Sequence, residues 1–322
     1  MPPTARRPEG PAATAGELAR ALRGLRAEGW GNPLGYAFVA PALLIYLVFN
    51  VWPILRGLTM AFSDYRFLVP GSEWSFNGLD NFAEMFTNDQ LFWHSFRVGL
   101  TYTLLTFPTG LLLSLGVAAL IAQIHSPRAA ATYRVIAYLP VVLPIAVAML
   151  LWRQLYHHQF GYINYLLGAV FGVEQPPNWL GDVQWALLAV AMAGVWKAFG
   201  ADMLLFLIGI YGINRELYEA AAIDGANALR QFWHITLPLL RPIFVLILAL
   251  NAGIVSATEE VLVLTNGDPA NATLTVGLYI YRTAFQMGDL RLGYAASMSL
   301  LLGLIHMLLA GLVFKLLRTE RA

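Results

Sequence analysis

The chain has 322 residues, of which 58% are hydrophobic and only 12% are charged, and its formal net charge is +1. Soluble domains carry about 25% charged residues, so a globule of this composition would lack polar surface, and an integral membrane protein is the class that fits. The small net charge gives no electrostatic basis for nucleic-acid binding. The absence of cysteine excludes disulfides, thiol nucleophiles and cysteine metal sites.

The first 33 residues form a polar tail rich in proline, alanine and glycine. They lack a short apolar stretch followed by a small-residue cleavage site, so they are not a cleavable signal peptide. We predict a soluble cytoplasmic tail over residues 1–33, with a short helix near Thr14–Glu28.

Six apolar segments follow, and each is long enough to cross a hydrocarbon core of about 30 Å, which needs roughly 20 helical residues. None alternates like the strand of a membrane barrel. We therefore predict an all-α, polytopic bundle of six transmembrane helices over residues 34–317, followed by a cytoplasmic C-terminus at 318–322. The predicted spans are Leu34–Leu55, Val98–Ile124, Val135–Trp152, Val183–Ile213, Pro242–Leu264 and Leu292–Phe314.

The basic residues predict the orientation of these spans. With the amino terminus inside, thirteen of the 20 Lys and Arg residues fall on inner segments and five on outer loops, which is the bias of the positive-inside rule. Both termini are therefore predicted to face the cytoplasm. The long outer loops, 56–97 and 153–182, have apolar positions that predict short interfacial helices, with plain connecting loops as the alternative.

The polar segment between the fourth and fifth spans reads ELYEAAAIDGANALRQFWHITLPLLRP from residue 216 onward. Leu217, Ala220 and Ala221 recur at helical spacing and predict a short helix, with Asn214 as its N-cap. The small alanine side chains leave one face of this helix without bulky groups, so that another protein's backbone could come close. Two interpretations stay open: a docking surface for another protein, or an amphipathic connector resting on the membrane.

This segment is predicted to turn back on itself. Asp224-Gly225 ends the first helix, because glycine takes positive φ at little cost. A second helix is predicted from about Asn227 to His234, and Pro238 and Pro242 are expected to break it. Three apolar side chains are predicted to anchor the pair of helices: Leu217, Phe232 and Ile235.

The string EAAAIDGA followed by FWHITLPLLRP resembles the EAA motif of ABC importer permeases, in which E-A-A, D-G-A and F-x-x-I-T-L-P precede the penultimate span. Further stretches resemble the sugar-uptake, MalF-type branch of that family. The resemblance covers residues from about 34 to 317. Unlike the best-known maltose permease, this chain has no large inserted outer domain and has six predicted spans rather than eight. These stretches are APALLIYLVFNVWPI, FNGLDNF, GYINYLL, VLTNGDPANATLTVGLYIYRTAF and GYAASMSLLLGLI.

The resemblance implies a transport subunit of the bacterial inner membrane that has no catalysis and no cofactor of its own. Two copies of a separate ATPase would bind ATP and Mg. A second permease chain, forming a heterodimer, and an extracytoplasmic solute-binding protein would complete the importer. The implied cargo is an oligosaccharide or disaccharide, and the alternative is a polyol or glycerol-phosphate.

The resemblance also assigns residues to coupling, over the segment 214–241. Short helices there would sit in a cleft of the ATPase, with Glu219 facing it and paired with a basic group, and with Gly225 as the turn. The residues assigned to ATPase coupling are Glu219, Ala220, Ala221, Asp224, Gly225, Phe232, Ile235 and Pro238.

Charges inside a span are costly and indicate function. Lys197 lies roughly 20 Å along its span, and it is predicted to pair with Glu259, Glu260 or an acid of a partner subunit, or else to contact cargo. Sugar sites combine aromatic faces with amide and hydroxyl groups, although each such group also suits a helix–helix hydrogen bond. The substrate-path candidates are Trp196, Lys197, Asn251, Ser256, Thr258 and Glu259.

Other classes of function fit the sequence less well. No GxxxxGK[ST] motif occurs, so the chain is not an ATPase by that route. His306 stands alone in its span, and no metal site, catalytic residue or cofactor site is expected. An ion-coupled carrier predicts inverted repeats, which are not seen, and a membrane-bound enzyme would need a catalytic constellation that is missing.

Overall fold

The computed structural model describes residues 33–69, 74–251 and 257–318. Within those ranges the regular elements are α-helices and two π-helical turns, with one isolated β-bridge between Ser63 and Phe76. The helix predicted near Thr14–Glu28 lies outside the described residues. The α-helices are α1 (Pro33–Tyr46), α2 (Trp52–Met60), α3 (Asp80–Thr87), α4 (Gln90–Ala122), α5 (Pro127–Val142), α6 (Ile145–Leu155), α7 (Tyr162–Phe171), α8 (Val183–Tyr211), α9 (Arg215–Ile223), α10 (Ala228–Gln231), α11 (Leu237–Leu239), α12 (Arg241–Leu250), α13 (Glu259–Leu264), α14 (Val276–Phe285) and α15 (Leu292–Arg318).

The helices confirm the all-α, multi-pass class. Among the described residues, four helices are long and apolar enough to cross a membrane, or up to six if each of two bent pairs counts as one span. The described residues divide into two compact units, with the boundary between Gly57 and Leu58. α1 continues through the π turn Leu47–Val51 into α2. The four unbroken helices are Tyr36–Met60, Gln90–Ala122, Val183–Tyr211 and Leu292–Leu312.

The third predicted span, Val135–Trp152, is not one straight helix. α5 ends at Val142, α6 starts at Ile145, and the two helices are bent by 98°. Leu143 is extended, with ψ 137°, which is the conformation favoured before a proline. Pro144 also lacks the amide hydrogen that would continue the helical ladder. The predicted span is therefore a bent pair of helices, one of the two pairs that give six spans if each pair is counted as one.

The fifth predicted span, Pro242–Leu264, is also interrupted. α12 ends at Leu250, and the side chain of Asn251 donates to the carbonyl oxygen of Ile247 at 3.0 Å. Such side-chain bonds compete with the helical ladder. A helix is described again from Glu259, so this predicted span is not one continuous helix either.

The two long loops contain the short helices that their apolar positions predict. They are α3 in the first loop and α7 in the second. α7 ends at Gly172, which is in the left-handed conformation with φ 67°, as is common where a helix terminates.

α4 and α8 pack side by side at the centre of the second unit. The Ser114 hydroxyl on α4 donates to the carbonyl oxygen of Phe199 on α8 at 2.8 Å. Gly200 brings α8 so close to α5 that a Cβ there would lie 2.5 Å from the carbonyl oxygen of Ala137. Small and hydroxyl-bearing residues allow this close approach in membrane bundles.

Candidate functional site

The polar segment predicted from the sequence folds into a helical hairpin, residues 214–240, which is called the hairpin below. Asn214 caps its first helix, α9, by accepting from the amide of Glu216 at 3.1 Å. An ion pair at i,i+4 spacing joins Arg215 to Glu219 at 3.4 Å, and their side chains are 91% and 66% exposed. An ion pair this exposed contributes little to stability, so Glu219 is free to exchange its partner.

The hairpin turns at Gly225, as predicted. Its φ is +79°, a conformation that strains any residue with a Cβ. The amide of Gly225 donates to the carbonyl oxygen of Ala222 at 3.0 Å, and the amide of Ala226 donates to that of Ala221 at 2.9 Å. These bonds satisfy carbonyls at the end of α9. A Cβ at Gly225 would meet no atom within 4 Å, so the requirement for glycine is conformational.

The second arm of the hairpin is longer than the sequence predicts. It starts at α10, capped by Asn227, whose side chain accepts from the amide of Arg230 at 2.9 Å. It then runs through the π turn Phe232–Thr236 into α11. The helix ends before Leu240, between Pro238 and Pro242, and is bent there by 57° relative to α12, so the predicted break is confirmed. Pro238 itself lies in the first turn of α11, where a missing amide hydrogen is tolerated.

Side-chain hydrogen bonds tie the two arms together. The hydroxyls of Tyr218 and Thr236 lie 2.8 Å apart. The side-chain nitrogen of Gln231, Nε2, donates to the backbone carbonyl oxygens of Tyr218 and Ala226, at 3.3 and 3.2 Å. These contacts make the hairpin one mechanical body rather than two loose helices.

The apolar side chains of the hairpin divide into anchors and exposed groups. Phe232 is half-buried and packs on a core cluster that contains Leu240 and Phe206. Ile235 is also half-buried, whereas Leu217 is 46% exposed, so the prediction that Leu217 anchors the hairpin is wrong. Three further apolar side chains stand largely in the open: Ile223 at 87%, Leu229 at 67% and Trp233 at 56% exposure.

The residues that the resemblance assigns to coupling lie on this accessible side of the hairpin for the most part. Ala221 is half-buried like Phe232 and Ile235. The remaining five are exposed: Glu219, Ala220, Asp224, Gly225 and Pro238.

A cavity of about 310 Å³ lies between α4, α8 and the two ends of the interrupted fifth span. Its wall includes Tyr102 from α4, Gly194 and Asp202 from α8, Asn251 after α12, and Glu260 of α13. The Asn251 amide approaches the Asp202 carboxyl at 3.5 Å. Interruption of the fifth span therefore brings polar groups from distant parts of the sequence to one cavity.

The substrate-path candidates separate in the structure. Asn251 lines the cavity, whereas Thr258 and Glu259 do not. Trp196 packs edge-to-face on Trp152, with ring centroids 5.7 Å apart. Ser256 lies outside the described residues.

Lys197 has a backbone partner. Its Nζ donates to the carbonyl oxygen of Val141 at 3.2 Å, in the last turn of α5 before the bend. Among the described salt bridges, none joins Lys197 to Glu259 or Glu260 within 4.0 Å. The predicted ion pair inside this chain is therefore wrong, and the lysine instead satisfies a carbonyl that the broken helix leaves free.

Sequence reasoning missed three groups of the cavity wall as path residues. Asp202 and Glu260 are charged residues within apolar segments, which is a sequence signal of function. Their meeting at one cavity could not be predicted, because it depends on the interruption of the fifth span. Tyr102 carries no sequence signal, since it is one of many aromatic residues in apolar helices. No group of three or more His, Cys, Asp or Glu in the described residues is placed to hold a metal ion.

A second polar centre surrounds Asp89, the N-cap of α4. Its carboxylate accepts from the amide of Phe92 at 2.9 Å and from the hydroxyls of Tyr279 and Tyr294 at 2.8 and 2.6 Å. Burial, with the hydrogen bond to Asp89, raises the pKa of Tyr279. That phenol therefore remains a donor at neutral pH.

An ion pair adjoins this centre. Arg291 donates through both terminal nitrogens to the two oxygens of Glu84, at 2.7 and 2.6 Å, and it lies 4.5 Å from the ring centroid of Tyr294. The hydrogen bond from Arg291 lowers the pKa of Glu84. Asp89, Tyr279, Tyr294 and the Glu84–Arg291 pair are called the Asp89 network below.

Known proteins resemble most of the chain. A family model described as binding-protein-dependent transport system inner membrane component matches residues 99–319. The probable ABC transporter permease protein YesP of Bacillus subtilis is 35% identical over 306 residues, which are 93% of this chain and 95% of YesP. The lactose transport system permease protein LacF of Rhizobium radiobacter is 30% identical over 292 residues, 89% of this chain and 95% of LacF.

A solved structure shares the fold. It is a bacterial alginate ABC transporter in complex with an alginate pentasaccharide-bound periplasmic protein, and it matches with a TM-score of 0.76 and 23% identity. The match covers 91% of this chain and 96% of that one. The range matched by the family model includes both the hairpin and the wall of the cavity.

Proposed function

The chain belongs to the family of binding-protein-dependent transport system inner membrane components, and on that premise we propose that it is the permease subunit of an ATP-driven carbohydrate importer. The observation that carries this proposal is the hairpin, in which Glu219 and Ala220 of the EAA motif are exposed. Hydrolysis of ATP takes place in a separate ATPase, which binds ATP and Mg, while this chain performs no chemistry.

The surface of the hairpin supports docking of another protein. Ala220 has a low profile and lets a partner backbone come close, and Ile223 and Leu229 offer apolar area that the free chain leaves in the open. Burial of such area is worth about 25 cal/mol per Å². Glu219 adds a carboxylate that exchanges Arg215 for a basic group of the ATPase.

The hairpin connects directly to the cavity. α8 enters it through Asn214, and α12 leaves it at Arg241. Both helices lead to the cavity wall, α8 through Asp202 and α12 through Asn251. Movement of a rigid hairpin by a closing ATPase therefore moves two walls of the cavity relative to α4, which is how coupling opens the path to one side of the membrane and then the other.

A carbohydrate is the proposed cargo. LacF, whose name states lactose transport, aligns with 89% of this chain, and the cavity presents a phenol, an amide and carboxyl groups that suit hydroxyl-rich molecules. A second permease chain, two ATPase subunits and an external solute-binding protein complete the importer. The chain is placed in the bacterial inner membrane with both termini in the cytoplasm, as the basic residues predict.

Coupling through the hairpin is tested by copurification and uptake together. The complete importer is expressed with this chain carrying Gly225→Pro or Glu219→Lys, and with Glu174→Lys in an exposed loop as the control. Both hairpin variants should insert normally, lose the ATPase on purification and lose ATP-driven sugar uptake, while the control retains all three. Normal uptake in both hairpin variants would overturn the proposal.

A further inference from the structure

The cavity is lined by the hydroxyl of a largely buried tyrosine, and this hydroxyl has no hydrogen-bond partner among the described residues. Tyr102 is 3% exposed, and in the described part of the chain its hydroxyl makes no hydrogen bond. It lies against Gly194 so closely that a Cβ there would be 2.3 Å from the phenol oxygen. Both residues line the cavity. A buried phenol normally finds a partner, so this one is placed for a ligand.

The charges around the cavity are unequal. Asp202 and Glu260 line it, and no lysine or arginine is part of the described wall. Lys197 is near enough to interact electrostatically with Glu260, but its Nζ is bonded to the carbonyl oxygen of Val141. The carboxyl groups of Asp202 and Glu260 therefore face the cavity, whereas the ammonium group of Lys197 is not part of its described wall.

We propose that this cavity selects cargo by charge, accepting neutral or amine-bearing sugars and rejecting anionic ones. The proposal rests on the proposed function and makes it narrower. Sugar hydroxyls and ammonium groups donate to Asp202 and Glu260, and the phenol of Tyr102 donates or accepts as the cargo requires. One ionised carboxylate in this pair is enough to repel a phosphate or uronate, because like charges repel strongly in a medium of low dielectric.

The size of the cavity agrees with a small cargo unit. At about 310 Å³ it is at the lower end of ligand pockets, which span roughly 300–1,000 Å³. Gly194 fixes this size, because any side chain there would occupy the space next to the phenol.

The test measures binding to the assembled importer without its external receptor, so that the receptor does not impose its own selectivity. The importer is placed in nanodiscs, and saturation-transfer difference NMR records binding of four probes. They are lactose, the glucosamine disaccharide, digalacturonate and sn-glycerol 3-phosphate.

Lactose and the glucosamine disaccharide should bind at least about tenfold more tightly than either anion, since one opposed charge at close range in low dielectric is enough for that ratio. The double variant Asp202→Asn with Glu260→Gln should bring the ratio close to one. Tyr102→Phe should weaken every probe and leave the ratio unchanged, and Glu174→Gln should change nothing. Each variant must first copurify with the ATPase, which shows that it is folded.

Equal or tighter binding of the anions, an unchanged ratio in the double variant, or no binding of any probe would each overturn this inference. None of these results affects coupling, which is measured by copurification and uptake. Conversely, a hairpin that fails to hold the ATPase overturns the proposed function even if the cavity prefers neutral sugars.

Discussion

The hairpin and the Asp89 network are both rich in polar side chains, but they are built in opposite ways. The hairpin comes from one continuous stretch of chain, and most of its polar groups are exposed. The Asp89 network joins residues 190 to 207 positions apart in the sequence through short hydrogen bonds. Exposed polar groups are available to a partner, whereas polar groups that bond to one another hold this chain together.

The largest effect should come from removing the centre of the network. Asp89→Ala loses the cap of α4 and leaves the hydroxyls of Tyr279 and Tyr294 without their acceptor, and the free energy of unfolding should fall by about 3 kcal/mol. The same change in the hairpin, Asp224→Ala, should cost under about 0.5 kcal/mol, because that carboxylate is exposed. Denaturant unfolding of the purified chain in detergent measures both. Equal losses would remove the contrast between the two regions.

The cavity wall is tightly packed, like the Asp89 network, and Gly194→Ala tests this packing. Its Cβ would lie 2.3 Å from the Tyr102 hydroxyl, so the variant should lose about 2 kcal/mol through overpacking. Gly116→Ala on α4 is the matched control, because a Cβ there meets no atom within 4 Å. It should be neutral or stabilising by up to about 1 kcal/mol. Similar unfolding curves for both variants would contradict the close contact.

The ion pair of the network predicts a pH dependence. Because the pKa of Glu84 is lowered in the folded chain, its contribution is complete above the ordinary glutamate pKa and is lost as the pH falls through the lowered value. Glu84→Gln should cost about 1 kcal/mol at pH 7, a modest amount because the pair is partly exposed. The difference from the unsubstituted chain should vanish in acid. Arg291→Lys, which cannot make the two-pronged contact, should lose part of the same difference, and a gap independent of pH would refute this account.

The smallest effect is expected inside the hairpin. Tyr218→Phe removes the hydrogen bond to Thr236 and should destabilise the hairpin by about 0.5 kcal/mol, seen as faster amide exchange in residues 214–240 with little change elsewhere. Tyr211→Phe, at a ring that is 55% exposed, is the control. Faster exchange throughout the chain would show that the hairpin is not an independent body.

Local features such as helix caps and turns could be predicted from the sequence, whereas contacts between residues far apart in the sequence could not. Asn214, Gly225 and the helices they bound follow from capping and from positive φ, which act within a few residues. The bend at Pro144 follows from similar rules, yet it was missed because membrane bundles tolerate prolines in helices. The partners of Asp89, and the meeting of Tyr102 with Glu260, depend on packing between distant helices, which no local pattern encodes.

Docking of the hairpin on an ATPase can be measured by labelling a single cysteine. The chain has no cysteine of its own, so Ile223→Cys, at a position 87% exposed, gives one reactive thiol at the tip of α9, and Glu174→Cys gives a control in a distant loop. A water-soluble maleimide should modify both quickly in the isolated chain, and assembly with the ATPase should strongly slow labelling at position 223 alone. Equal labelling of position 223 before and after assembly would contradict the account.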